Sequence, residues 1–303
     1  MMMFGGMPAR ARQFQESVDP GVIPIYQVTR GVVSHGGEHE VAEGSFASGM
    51  SWLSLGSGSP LVVLPGLAAD HRPPVGAGRW AQLRQMKSFA GRHRVFWVNR
   101  RPGLASTTTI GQMANDYAVA LRCAFDGPVD VLGISTGGSI ALQLAADHPE
   151  LIRRLVLVSA AYRLGNRGLA GQRTAADALR EDRSRPALAA IMTMLADRRG
   201  ARWVLGAVGW LLGPVLLPRG DFGDMLATID AEERFDLAER LVEITAPVLI
   251  IAGDRDAVYD EGLFGRTAAL LPRGTLAPYH GRGHLGTQFS RRLGPDVRRF
   301  LDR

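Results

Sequence analysis

The stretch Val129-Asp-Val-Leu-Gly-Ile-Ser-Thr-Gly-Gly138 decides how the rest of this chain is interpreted. Its first four residues are typical of a buried strand, and the residues after the last glycine are typical of a helix. Between them, Gly133-Ile-Ser-Thr-Gly137 fits the pattern G-x-S-x-G. A serine on so sharp a turn needs small neighbours two residues away, because strand and helix would otherwise collide. Gly133 and Gly137 meet that need, so the pattern predicts Ser135 as an exposed nucleophile.

Short apolar runs on both sides of this stretch predict further strands. Each has four or five residues and is followed by a loop; they are Leu61–Leu64, Arg94–Val98, Leu155–Val158 and Val248–Ile251. Such continuous apolar runs are typical of parallel strands covered on both faces. Segments with a helical pattern alternate with the predicted strands, most clearly over Thr109–Phe125. The sequence therefore predicts the α/β fold class, with βαβ units and a parallel sheet.

The alternation of strands and helices is interrupted once, which suggests three parts of the chain. Residues 162–245 contain helical text rich in Arg, Ala and Leu, and no convincing strand. We expect them to form a helical cap over the carboxyl edge of the sheet, where ligands bind in open α/β folds. The core then comprises residues 41–161 and 246–303, and residues 1–40 form a loose N-terminal extension with an early strand.

Composition excludes several classes of protein. The net charge is +6, nearly all the basic residues are arginine, and the Arg-Arg pairs are scattered. Because no dense basic run is interleaved with aromatic residues, we expect no nucleic-acid partner. Cys123 is the single cysteine, so an intrachain disulfide is excluded, and its amphipathic helical context predicts a buried structural thiol.

The apolar segments are too short for a membrane span. The N-terminus lacks the continuous apolar stretch of a signal peptide, and Val204–Leu217 is interrupted by glycines and a proline. We therefore expect a cytoplasmic protein without stable membrane insertion. The segment from Trp203 to Leu217 also suits an acyl or aromatic pocket within the cap; the alternative is core packing within the cap.

A serine nucleophile needs a base, and the base needs an orienting acid. In the order expected for a G-x-S-x-G serine, the acid follows the serine and the histidine comes last. Asp254 and Asp256 both follow the strand that ends near Ile251, although either can also cap a local turn. Further on, a glycine-rich loop carries His280 and His284, of which His284 is the first choice for the base. His71, after the first loop, is a weaker candidate for contact with substrate.

Two backbone amides are placed to bind a developing oxyanion. The N–H of Thr136 opens the helix after the nucleophile, and the N–H of Leu67 follows the strand and the Pro65-Gly66 turn. Acyl transfer at such a site needs no metal or organic cofactor, and we predict none.

These residues together resemble the α/β-hydrolase superfamily over about residues 45–161 and 245–302. The closest local match runs from Val131 through the nucleophile and on through His148-Pro-Glu to Ser159. In the family the catalytic Asp stands three residues after a glycine, which favours Asp256 after Gly253, and the Gly283-His284 pair resembles its base site. The resemblance implies an eight-stranded, mostly parallel sheet flanked by helices and a helical cap. It also implies a triad of Ser135, Asp256 and His284 with oxyanion donors at Leu67 and Thr136.

The chain departs from the family pattern at two places. Many members have His-Gly where this chain has Pro65-Gly66, so any part that the histidine plays in shaping the loop is missing. Many also have an Asp-x-Arg-Gly-x-Gly-x-Ser run where this chain has Asn99-Arg-Arg-Pro-Gly-Leu-Ala-Ser106.

The predicted function is hydrolysis of an ester, thioester or lactone with an apolar acyl or aromatic part, through an acyl-serine intermediate. A serine at the nucleophile position argues against the dehalogenase and epoxide hydrolase branches, which use aspartate. Acyltransferases, carbon–carbon hydrolases, aminopeptidases and cofactor-free haloperoxidases share the serine triad and stay open. So does a ligand-binding or signalling protein on the same scaffold, since function does not follow from fold. The partner in each case is a small, apolar molecule, and the sequence does not reveal the oligomeric state.

Overall fold

The computed structural model describes residues 41–46, 48–218, 220–259 and 262–303. The predicted N-terminal extension, residues 1–40 with its early strand, lies outside them. The described chain contains one sheet in which eight strands follow the order β1-β2-β4-β3-β5-β6-β7-β8. The strands are β1 Val41–Ser45, β2 Ser51–Leu55, β3 Ser59–Leu64, β4 His93–Val98, β5 Val129–Ile134, β6 Ile152–Val158, β7 Val248–Gly253 and β8 Gly274–Tyr279.

The six strands from β3 to β8 run parallel, and β1 and β2 pair antiparallel at one edge. All five strands predicted from apolar runs lie inside observed strands, so the α/β class and the eight-stranded, mostly parallel sheet are confirmed. The antiparallel edge was not predicted strand by strand. Every residue of β1 is only half-buried, so this edge strand lacks the continuous apolar run that marks the buried strands.

Ten α-helices accompany the sheet within the described residues. In chain order they are α1 Gly76–Ala90, α2 Ile110–Ala124, α3 Thr136–Asp147, α4 Asn166–Arg180, α5 Ser184–Leu195, α6 Arg199–Leu216, α7 Gly223–Glu233, α8 Leu263–Leu270, α9 His284–Gln288 and α10 Leu293–Leu301. The helix predicted over Thr109–Phe125 is confirmed as α2, and the one expected after Gly138 begins at Thr136 as α3. Thr109 caps α2 in a capping box with Gln112, with N–O distances of 3.1 and 2.9 Å.

The core lies on both faces of the sheet. Along β3, Val62 and Leu64 belong to one apolar cluster, whereas Leu61 and Val63 belong to the cluster on the opposite face. Alternate residues of a strand point to opposite faces, so a strand covered on both sides must be apolar throughout. This double burial is the physical reason why the central strands could be found in the sequence.

Helices α4 to α7 form an insertion between β6 and β7, over the carboxyl ends of the strands. Asp224 of α7 accepts hydrogen bonds from the backbone N–H groups of Gly103 (3.2 Å) and Leu104 (2.7 Å), in the loop after β4. The side chain of Gln172, in α4, and that of Thr136, after β5, both donate to Glu232 of α7. The insertion therefore contacts the edge of the sheet at which open α/β folds bind ligands.

Most of the bulky apolar side chains of α6 are exposed, which contradicts the pocket expected from them. Trp203 and Val215 are 85% and 72% exposed, so core packing within the cap does not describe these residues either. The glycine face of α6 lies against α5 instead. A Cβ atom on Gly209 would lie 2.7 Å from the carbonyl oxygen of Leu188. Because close helix contact needs small residues on the inner face, the bulky side chains are left outside.

Two other predictions can be compared with the structure. Cys123 is half-buried rather than buried, because it lies beside the apolar face of α2 and not on it. Among the described helices, none combines the length and hydropathy that a membrane crossing needs.

Candidate active site

Ser135 has a strained backbone at the junction of β5 and α3. Its φ of 51° and ψ of −121° are rare for a residue with a side chain. Two backbone hydrogen bonds hold the turn: the N–H of Ser135 donates to Val158 O at 3.0 Å, and the N–H of Gly138 donates to Ser135 O at 2.7 Å. The serine is thereby fixed at the carboxyl edge of the sheet.

The glycines around Ser135 make the turn possible. A Cβ atom on Gly133 would lie 2.6 Å from the carbonyl oxygen of Gly137 and the Cα of Gly138. The expected collision of strand and helix therefore holds for Gly133. At Gly137 the obstacle is different, because a Cβ atom there would overlap the carbonyl oxygens of Leu64 and Pro65 at the end of β3.

The three side chains predicted as a triad lie in one hydrogen-bonded chain. The Nε2 atom of His284 is 3.1 Å from Ser135 Oγ, and its Nδ1 atom is 2.8 Å from Asp256 Oδ2. The side chains of His284 and Asp256 are 2% and 0% exposed, so solvent is excluded from their contact. The imidazole is thus placed between a hydroxyl and a carboxylate.

The alternative acid and base also pair, but away from Ser135. Asp254 lies 3.1 Å from His280 Nδ1 and accepts a hydrogen bond from the N–H of Gly281 at 2.8 Å. The hydrogen bond from His280 lowers the pKa of the Asp254 carboxyl. Both side chains are exposed, His280 at 81%. Of the two candidate pairs, only the pair of Asp256 and His284 reaches the serine, through Nε2 of His284.

The loop that carries His284 is held against the ends of β6 and β7. Ser159 donates from Oγ to the carbonyl oxygen of His284 at 3.2 Å, and like Ser135 it has a positive φ, of 50°. A Cβ atom on Gly253 would overlap the carbonyl oxygen of Arg282, so this glycine lets the loop rest on the strand end. The Asp256 carboxylate is fixed in turn, because it accepts from the N–H of Val258 at 3.0 Å.

The loop after β3 passes close to the serine. A Cβ atom on Gly66 would lie 3.4 Å from Ser135 Cβ, and the predicted oxyanion donor Leu67 follows directly. The other predicted donor, Thr136, is the first residue of α3, where a backbone N–H has no acceptor within the helix. Arg100, in the stretch that departs from the family pattern, hydrogen-bonds to Ala69 O at 3.5 Å and so contacts this loop.

Comparison with known proteins identifies the family. The sequence profile described as the alpha/beta hydrolase fold matches residues 59–286, which is most of the chain. The chain belongs to the α/β-hydrolase fold family. The resemblance noted in the sequence is therefore confirmed.

Individual relatives show how far the similarity extends. The chain is 32% identical over 154 residues to a pimeloyl-(acyl-carrier protein) methyl ester esterase of Neisseria meningitidis serogroup C, covering 46% of this chain and 56% of that protein. It thus spans little more than half the length of that relative. It is 29% identical over 264 residues to polyketide synthase ThaQ of Burkholderia thailandensis, covering 82% of this chain and 12% of that protein.

Solved structures share the fold of this α/β hydrolase. MGS-M2, an alpha/beta hydrolase enzyme from a deep-sea metagenome library, superimposes with a TM-score of 0.71 over 88% of this chain and 96% of that chain. The sequence identity of 16% means that this likeness concerns the fold.

Glu232 is part of the site of this α/β hydrolase and was not predicted. Its carboxylate is fully buried and accepts from Thr136 Oγ1 at 2.8 Å, Ser139 Oγ at 3.0 Å and Gln172 Nε2 at 2.8 Å. Burial raises the pKa of this carboxyl, although the three donors and the nearby His284 oppose the shift. Helix α7 thereby contacts the first turn of the nucleophile helix. The sequence around it, Ala231-Glu-Glu-Arg234, gave no signal, because such charged residues are typical of the solvent-exposed face of a helix.

Tyr259 is the second site residue that the sequence did not indicate. It follows Asp256 by three positions and is 4% exposed, with its ring stacked on His284 at a centroid distance of 6.1 Å. His71, by contrast, is partly exposed and lies 3.4 Å from Asp224 of the insertion.

Apolar side chains lie where the insertion meets the loop after β3. The insertion has an apolar cluster of its own. Partly buried apolar side chains pack against that cluster; they are Leu67, Ala69, Ile191, Met192 and Leu226. A cavity of about 750 Å³ adjoins the same loop and is bounded by Leu67 and Ile134. That volume is in the usual range for small-molecule sites. Among the described residues, no three His, Cys, Asp or Glu side chains are grouped to hold a metal ion.

Proposed function

We propose that this α/β hydrolase cleaves an ester, thioester or lactone through an acyl-serine intermediate. The observation that carries the proposal is the chain of contacts Ser135 Oγ–His284 Nε2 (3.1 Å) and His284 Nδ1–Asp256 Oδ2 (2.8 Å). A nucleophile, a base and an orienting acid at these distances are the parts that serine catalysis requires.

Acylation follows from the positions of the three side chains. His284 Nε2 accepts the proton of Ser135 as the hydroxyl oxygen attacks the carbonyl carbon. The buried Asp256 carboxylate accepts a hydrogen bond from His284 Nδ1–H, which fixes the tautomer and stabilises the imidazolium. His284 then gives the proton to the leaving group, and water repeats the sequence to release the acid.

The developing oxyanion is assigned to the backbone N–H groups of Leu67 and Thr136. Thr136 begins a helix, whose dipole favours negative charge at this end. The loop of Leu67 lies next to Ser135 through the close approach of Gly66. Loss of one such donor typically lowers kcat by about 10²- to 10³-fold.

We assign an apolar acyl part to the substrate. The support is the apolar wall at the junction of the insertion with the loop after β3, where Leu67, Met192 and Leu226 are partly buried. Similarity to an esterase that acts on an acyl methyl ester agrees with this assignment. The segment Trp203–Leu217 gives little support, because most of its bulky side chains are exposed.

Hydrolysis of a p-nitrophenyl ester series of increasing acyl length tests the proposal. We expect turnover by the wild type that rises with acyl length over the first members, and loss of turnover by at least about 10⁴-fold in Ser135→Ala. Ser88→Ala is the matched control, because Ser88 Oγ donates only to Gln85 O within α1, at 2.7 Å. A folded wild type that hydrolyses no ester, thioester or lactone would contradict the proposal.

A further inference from the structure

The hydroxyl of Tyr259 makes no well-formed hydrogen bond in the part of the chain that the structure describes; the Ser135 hydroxyl and the Ala161 backbone lie close enough to oppose the rise that burial causes in its pKa, but neither contact has the geometry of a full hydrogen bond. The side chain is nevertheless buried, and its hydroxyl faces the Ser135 side chain and the backbone of Ala161. Two other buried tyrosines differ: Tyr117 donates to Val98 O at 2.9 Å, and Tyr279 donates to Asp296 Oδ2 at 2.8 Å. A buried polar group without a partner costs stability, so each one in a native fold calls for an explanation.

The surroundings of Tyr259 make it a hydrogen-bond donor. Burial raises its pKa well above the ordinary value, and the negative charges of Glu232 and Asp256 add to the shift. The phenol therefore keeps its proton at any working pH of a serine hydrolase. Its ring lies nearly parallel to that of His284, at an interplanar angle of 21° and a centroid distance of 6.1 Å.

The sheet order decides which part of a substrate this hydroxyl reaches. β3, whose loop carries Leu67, lies on one side of β5. β6 and β7, followed by Ala161 and Tyr259, lie on the other side. An oxyanion bound by Leu67 and Thr136 points away from Tyr259. The group on the Tyr259 side, next to His284, is the one that leaves.

We propose that Tyr259 is a further catalytic residue, whose hydroxyl donates a hydrogen bond to the leaving-group oxygen of an ester substrate. The inference rests on the proposed function. When the tetrahedral intermediate collapses, the bond from carbon to the leaving oxygen breaks and its electron pair stays on that oxygen. His284 Nε2 supplies the proton it took from Ser135, so an alcohol departs. Tyr259 keeps its own proton and stabilises the charge that develops on the oxygen before transfer.

The dependence on the leaving group tests this role. Wild type and Tyr259→Phe are compared by kcat/KM, which reports acylation, on esters of one acyl group with p-nitrophenol, phenol, trifluoroethanol and ethanol. We expect a loss of about 10- to 100-fold for the ethyl ester, the range for a hydrogen bond to a charged group. The loss should shrink towards the p-nitrophenyl ester, because that oxygen carries its charge without help.

Stability separates this role from simple packing. Because Tyr259→Phe keeps the ring and removes an unpaired hydroxyl, we expect its unfolding midpoint to equal or exceed that of the wild type. Tyr117→Phe is the matched control: it breaks the hydrogen bond from Tyr117, on α2, to Val98 O at the end of β4, so its midpoint should fall while kcat/KM is unchanged.

Two results would overturn the inference while the proposed function stands: unchanged kcat/KM of Tyr259→Phe on the ethyl ester, or an equal loss with every leaving group. A wild type inactive on all four esters would instead refute the proposed function, and with it this role of Tyr259.

Discussion

At the scale of the residue, the conformation of Ser135 requires support from its neighbours. A non-glycine residue at φ 51° costs about 1–3 kcal/mol and persists only where the surrounding structure determines it. The N–H of Ser135 donates to Val158 O and the N–H of Gly138 donates to Ser135 O, so both peptide groups flanking the side chain are fixed. The strained backbone holds the hydroxyl oxygen within reach of His284.

The two acid candidates give a matched pair of variants. Asp256→Asn should lower kcat by about 10⁴-fold, because an amide cannot hold His284 in the tautomer that accepts the Ser135 proton. Asp254→Asn removes a carboxylate of the same loop that pairs with the exposed His280, and kcat should change less than about twofold. Equal losses in the two variants, measured by ester hydrolysis, would contradict the assignment of the acid.

Residues alone predicted the nucleophile and narrowed the acid and the base to two candidates each. The choice between Asp254 and Asp256 needed the family resemblance, because both follow β7 and either could cap a local turn. Glu232 could not be predicted, since its role depends on a tertiary contact with Thr136 and Ser139 from about a hundred positions away.

At the scale of the element, the start of α3 is packed too tightly to accept any side chain at its glycines. In Gly138→Ala the new Cβ atom would overlap the Cβ of Ala160, and we expect a loss of about 1–3 kcal/mol in the free energy of unfolding. Gly111→Ala in the first turn of α2 is the control, because the nearest atom would be 3.7 Å away. In α2 the change from glycine to alanine should raise the free energy of unfolding by about 0.4–1 kcal/mol.

Urea unfolding at neutral pH compares the two alanine variants. Opposite signs of the change in free energy would support the contact between α3 and the end of β6. A Gly138→Ala variant as stable as Gly111→Ala would show that the first turn of α3 has room for a side chain, contrary to the close approach of Ala160.

A strand or helix could be predicted where its burial alone determined which residue types it contains. The parallel strands are covered on both faces, so β7 is an unbroken apolar run, and β5 and β6 are apolar after Asp130 and Arg154. Helix α6 was misjudged because apolar content does not say which face is inward. Its contact with α5 is made by Gly209 and Gly213, and this leaves Trp203 and Val215 exposed.

At the scale of the whole molecule, two buried carboxylates respond to pH in opposite directions. Glu232 joins the insertion to the core, and burial raises its pKa. For Asp130 at the start of β5, burial alone would raise the pKa, but the hydrogen bonds from Arg153 and the nearby His93, 3.7 Å away, hold it below the ordinary value. Arg153 Nε lies 2.9 Å from Asp130 Oδ1. The charge on Glu232 therefore destabilises the fold, whereas the charge on Asp130 stabilises it.

The sign of each pH effect follows from linkage. The pKa of Glu232 is higher in the folded than in the unfolded protein. Its contribution to stability is therefore fully present below the unfolded-state pKa and is lost as the pH rises through the folded-state pKa. Glu232→Gln should therefore be more stable than the wild type at pH 8, on the order of 1 kcal/mol, and equal to it near pH 4. Because the glutamine keeps hydrogen-bonding capacity, the contact with α3 should persist.

Asp130→Asn is the contrasting variant. The pKa of Asp130 is lower in the folded than in the unfolded protein. Its contribution to the stability of the wild type is therefore present above the unfolded-state pKa and is lost as the pH falls through the folded-state pKa. The variant should lose about 3 kcal/mol at pH 8, the lower end for breaking a buried pair, because Arg153 is partly exposed. The deficit should stay nearly constant down to about pH 4 and shrink only below it, as the pH falls through the lowered folded-state pKa. Unfolding midpoints of both variants from pH 4 to 8 check these signs, and changes of the same sign at pH 8 would refute them.

The central claim is that Ser135 is an activated nucleophile, and covalent labelling tests it most directly. The wild type is treated with a fluorophosphonate probe, digested, and mapped by mass spectrometry, with Ser135→Ala and Asp256→Asn alongside. We predict stoichiometric labelling of Ser135, slower labelling in Asp256→Asn, and none in Ser135→Ala. A folded wild type that stays unlabelled, or is labelled at another residue, would contradict the account.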